Sequence, residues 1–118
     1  MSDLRPESLT WTSLLAQWMR FAQASLAIPE EADGARWRAS VPAIINLQAV
    51  TFALADLHHL PDDERALGID KSQILIDRSV AELDRTWIGI ARSPMIDEII
   101  LDAVAALKSV KAHRSIAE

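Results

Sequence analysis

Five prolines and three glycines are the only strong breakers in this chain. The prolines stand at Pro6, Pro29, Pro42, Pro61 and Pro94. Proline lacks an N–H and its ring crowds the preceding turn, so each one ends, bends or begins a helix. Their wide spacing leaves long unbroken segments in which apolar residues recur every three or four positions. That interval is the helical one; a half-buried strand would alternate every two. An all-α fold follows. Half of the residues are apolar, enough to build a core in one domain spanning residues 1–118. No repeat, low-complexity tract or internal linker stands out.

Four long segments emerge. The first runs from Thr10, an N-cap, to about Ile28, with Leu9 and Leu14 placed as a hydrophobic staple. Trp11, Leu14, Leu15, Trp18, Ala22, Ser25 and Leu26 share its inner face. A loop, "PEEADGARWRASV", then carries Trp37 between Arg36 and Arg38. The second helix begins at Ser40 to Pro42 and ends at Leu60. Its apolar positions nearly encircle it, which demands burial on most sides, with Asp56 among apolar neighbours. The third runs from Lys71 to Ile88–Ile90, with a core stripe of Ile76, Val80, Leu83, Trp87 and Ile90. A second apolar line, Ile74, Ala81 and Ile88, lies on its far side. The fourth opens at Ser93 as N-cap and Pro94, and packs through Ile96, Ile99, Ile100, Ala103, Val104, Leu107 and Val110. Lys108, Lys111, His113 and Arg114 complement its C-terminal dipole, and the tail "SIAE" frays.

The stretch "HHLPDDERALGIDKSQ" looks most like chemistry, with two histidines close to several carboxylates. Each polar residue there also has a structural reading. His58 and His59 close the second helix, and Asp62 caps a short helix to Leu67. Gly68 serves as its left-handed C′ residue, and Asp70 with Gln73 forms a capping-box variant for the third helix. Adjacent helical histidines point about 100° apart and chelate one ion poorly. No metal site, catalytic constellation or cofactor motif is expected: the chain lacks H-E-x-x-H, paired E-x-x-H, a P-loop, a dinucleotide-binding glycine pattern and a nucleophile elbow.

The net charge of −5 opposes general binding to phosphate backbones. The absence of cysteine rules out disulfides and thiolate chemistry and suits a reducing compartment. Neither a signal peptide nor a run of about 20 apolar residues is evident. The reading is an up-down-up-down four-helix bundle with a short extra helix between the second and third long helices, cytoplasmic, with neither nucleic-acid nor membrane partners. Its expected function is non-enzymatic: a protein-interaction or scaffolding module, for a protein partner the sequence does not specify, that forms a homodimer through Ile74, Ala81 and Ile88. The alternative is a bundle that binds a small molecule or metal in an end pocket near Trp37, Asp56, His58 and His59.

Overall fold

The structure is a computed structural model that describes residues 9–26 and 34–117. Four helices pack together: α1 (Trp11–Ser25), α2 (Gly34–Ala55), α3 (Asp62–Thr86) and α4 (Pro94–Ala117), with a 3-10 turn, Leu57–His59, between α2 and α3. No strand occurs among the described residues. Cross-helix pairs at successive heights fix the directions. Trp18 of α1 bonds to Asp56 just past the end of α2, and Phe21, one turn later, meets the earlier Phe52. Arg36 at the start of α2 bonds to Thr86 at the end of α3. Asp84 near the end of α3 pairs with Arg92 before α4, and the earlier Gln73 bonds to the later Lys111. Each helix therefore runs against the one before it, in up-down-up-down order.

The arrangement is flattened, with Cα extents of 49 × 38 × 16 Å. The thin dimension holds two helix layers, since axes pack about 8–10 Å apart. α2 is the hub and packs on α1, α3 and α4. It buries Ile44, Leu47, Ala49, Val50 and Ala53 completely, as its nearly all-round apolar character requires. By length and composition α2 could also cross a bilayer, but half of that span is buried by the other helices.

α1 begins as its sequence predicts. The Thr10 hydroxyl accepts from the Ser13 N–H, and Ser13 Oγ accepts from the Thr10 N–H, a reciprocal capping box. A third first-turn donor finds a distant partner: the Trp11 N–H bonds to Glu64 Oε1 of α3 at 2.8 Å. The helix ends at Ser25, and Ser25 is exposed rather than inside. Ile28 lies outside the described residues.

α2 starts six residues before the predicted Ser40, so "ARWRAS" is helix and Pro42 is interior. A proline there forfeits the bond to the Arg38 carbonyl, at about 3 kcal/mol. Arg38 and Pro42 are both exposed, so water can satisfy that carbonyl. The offset comes from Trp37, buried to 1% exposure, and from bonds of Arg36 and Ser40 described below.

The largest departure is at Gly68. The sequence places a chain reversal there and a separate short helix, Asp62–Leu67, before it. Instead α3 is continuous from Asp62 to Thr86, Gly68 is mid-helix, and the short extra element is the 3-10 turn of Leu57–His59. Among the described residues, the only glycine with positive φ is Gly89, at 78°. Gly68 packs instead: a Cβ there would stand 2.7 Å from Trp11 Cε3 and 3.0 Å from Leu57 Cδ1. Close approach to α1 outweighs the roughly 1 kcal/mol by which glycine weakens a helix interior. Asp70 is consequently mid-helix and exposed, not a cap, and Gln73 bonds to Asp77 and Lys111 instead of closing a box. Asp62, Asp63 and Glu64 do occupy the first turn of α3, where the helix dipole favours carboxylates.

Continuity gives α3 a register that is easy to miss in the sequence. "LGIDKSQ", "ILIDRSV" and "AELDRTW" repeat one seven-residue pattern from Leu67 to Trp87. Its inward rows are Ile69, Ile76 and Leu83, with Ser72 and Ser79, all buried. Trp87 caps the helix and stays in the core, whereas Ile90 has left the stripe and is 46% exposed. In α4, Ser93 Oγ accepts from the Met95 N–H at 3.3 Å. Ile96, Ala103 and Leu107 are buried, while Val104, expected inside, is 41% exposed. The helix continues through the tail to Ala117.

Candidate functional site

The four residues expected to form an end pocket do not converge. Trp37 is in the first turn of α2, and Asp56, His58 and His59 follow its last. About 18 helical residues separate them, roughly 27 Å at 1.5 Å per residue. Trp37 is packed against Trp87, edge to face, with ring centroids 5.7 Å apart. Trp87 Nε1 donates to Ser40 Oγ at 2.8 Å, and Ser40 Oγ donates to the Arg36 carbonyl at 2.7 Å. Arg36 Nε in turn donates to the Thr86 carbonyl at the end of α3. Trp37, expected beside Asp56 in an end pocket, is instead buried to 1% exposure in this closed corner.

At the other end, Asp56 is half-buried and accepts from Trp18 Nε1 through Oδ2 at 2.9 Å. Trp18 also stacks on Phe52 at 4.9 Å, and Phe21 stands edge-on to both. Asp56 therefore orients an indole that holds α1 against α2. His58 and His59 are exposed on the 3-10 turn, with ring centroids 4.0 Å apart. No cluster of three metal-ligating side chains occurs among the described residues.

An open cleft of about 930 Å³ lies beside this turn, between the end of α2, the start of α3 and the last turns of α4. Its floor is apolar, with Leu54, Leu57, Ile69 and Val110. His58, Asp62, Arg65, Ser109 and His113 are its polar residues. Arg65 is held by Asp62 and donates to the Leu60 carbonyl at 2.7 Å. His59 is not part of the lining. His113, read from the sequence as part of a basic tail, is brought to His58 by the antiparallel pairing of α3 and α4. The signal available was length: two adjacent helices of 25 and 24 residues joined by a short turn put the end of one beside the start of the other.

On α3 the far-side line predicted from spacing is exposed: Ile74 is 54% and Ile88 77% accessible, with Ala81 also exposed. Leu67, at 39%, extends it by one heptad toward the N-terminus. Ile88 follows the end of α3, in the turn containing Gly89, so it does not continue the helical row. Among the described residues, six of the eight large exposed apolar ones (Leu67, Ile74, Ile88, Ile90, Leu101 and Val104) belong to α3, α4 or their connection. Phe21 and Phe52 are the others.

Compared with family models, curated proteins and solved structures, the chain matches none of them significantly.

Proposed function

We propose that this protein is a non-enzymatic interaction module that pairs with a second copy of itself through the outer face of α3. The observation that supports the reading is the exposed apolar row of that helix, Leu67, Ile74 and Ala81, with Ile88 beyond its end. Scattered exposed apolars are ordinary, but a contiguous row at seven-residue spacing matches what one helix presents to another. A flattened two-layer fold also leaves α3 with one side unpacked. The acidic balance and the lack of cysteine suit a cytoplasmic protein that engages protein surfaces rather than nucleic acid or membranes. Light scattering after size exclusion tests the proposal: a dimer is expected, and Ala81→Glu, a charge in mid-row on an exposed position, should return it to monomer. A strict monomer at high concentration, or a dimer indifferent to Ala81→Glu, would overturn it.

The cleft at His58 and His113 favours a second reading, a small-molecule site. Its volume and apolar floor with a few polar groups are those of ligand pockets. A thermal-shift screen against metals and metabolites, repeated with His58→Ala, tests this reading. It requires a stabilisation that the substitution abolishes.

A further inference from the structure

Pairing through α3 leaves open which way the two copies run, and the outer rows of the heptad repeat answer that. Beside the apolar row Leu67, Ile74, Ala81 run two charged rows at the same spacing: Asp70, Asp77, Asp84 and Lys71, Arg78, Arg85. At 100° per residue the aspartates lie about 60° to one side of the apolar row and the basic residues about 40° to the other. Contacts confirm which flank is which. Gln73 links Asp77 to Lys111, and Arg92 pairs with Asp84, so the acidic flank faces α4. Glu64 and Gly68 meet Trp11, so the basic flank faces α1.

All six charged residues are exposed. Among the described residues, the side chains of Asp70, Lys71 and Arg78 have no hydrogen-bond or ion-pair partner within the chain. The core needs none of these three rows; it uses the inward ones.

We infer that two copies pair with their α3 helices parallel, about a two-fold axis along the helix direction. The inference rests on the pairing proposed above. In a parallel two-fold pair, the acidic flank of one helix meets the basic flank of the other at the same height. Asp70 then stands opposite Lys71 of the second copy, Asp77 opposite Arg78, and Asp84, which also pairs with Arg92 of its own chain, opposite Arg85, which also pairs with Glu82. In an antiparallel pair each flank meets its own kind, aspartate against aspartate and arginine against arginine. The same e/g logic sets orientation in coiled coils, and the two-fold makes each ion pair occur twice.

The natural chain has no cysteine, so single substitutions report the geometry without interference. Leu67→Cys and Ala81→Cys are made separately, oxidised, and examined on non-reducing gels, with light scattering alongside and exposed Gln17→Cys as a control for random collision. Each of the two α3 variants is expected to cross-link to itself, and the control is not. Cross-linking only when Leu67→Cys and Ala81→Cys are mixed would overturn the parallel arrangement while leaving the dimer intact. A dimer by light scattering with no cross-link through either position would overturn the α3 face itself, as would equal cross-linking by the control. A monomer throughout would overturn the pairing on which the inference rests.

Discussion

Gly68 of α3 lies so close to Trp11 of α1 that a single added carbon would stand 2.7 Å from the indole ring. This contact joins the N-terminal turns of two helices that otherwise touch little, and Glu64 reinforces it by accepting the Trp11 N–H. Gly68→Ala therefore gains up to about 1 kcal/mol of helix propensity and loses more to overpacking, which costs about 1–3 kcal/mol. Urea denaturation should show net destabilisation. The loss should shrink in a Trp11→Leu background, where the clash is absent. Additive effects of the two substitutions would refute the contact.

Two buried serines should respond in opposite senses. Ser40 is fully buried and links Trp87 Nε1 to the Arg36 carbonyl. Ser40→Ala leaves the indole N–H buried without an acceptor and should cost about 1–3 kcal/mol. Ser72 is equally buried, but its Oγ has no hydrogen-bond partner. Ser72→Ala removes a desolvated hydroxyl and adds helix propensity, so it should be neutral or stabilising by up to about 1 kcal/mol. Thermal melts of both variants would suffice.

Asp56 separates hydrogen bonding from charge. Asp56→Asn keeps an acceptor for Trp18 Nε1, and Asp56→Ala removes it. The alanine variant should lose about 1 kcal/mol and the asparagine variant less than about half of that. Trp18 fluorescence should also shift in the alanine variant as its indole comes loose from Phe52. Equal losses for the two variants would mean that the carboxylate charge, not the acceptor, holds the indole.

Gly89 is the position where backbone geometry alone calls for glycine. Its φ is 78°, and a Cβ there would meet nothing within 4 Å. Gly89→Ala should therefore cost about 1 kcal/mol through conformation only. Gly89→Asn, which tolerates the left-handed region better, should cost less. Equal costs would point to a packing role the surroundings do not provide.

The starts of α1 and α4 were legible because their causes are local, whereas those of α2 and α3 were not. Thr10 as N-cap and Ser93 with Pro94 act within one turn, so neighbouring residues suffice to read them. The all-α class and the number of long helices followed likewise from spacing along the chain. Ile74 and Ala81 of the outer apolar line of α3 were legible too, but the departure of Ile88 from it and its extension to Leu67 depended on where the helix begins and ends.

What tertiary structure decided lies where a distant residue outweighs a local preference. Proline and glycine act as breakers only when nothing opposes them. Pro42 is carried inside α2 because burial of Trp37 against Trp87, fifty residues away, outweighs one lost hydrogen bond. Gly68 stays helical because Trp11 occupies the space a side chain would need. The gathering of His58 and His113 at one cleft, and the separation of Trp37 from Asp56 along a single rod, belong to the same class. Local chemistry starts and stops a helix, but only packing between helices determines which of those signals are obeyed and which side chains meet.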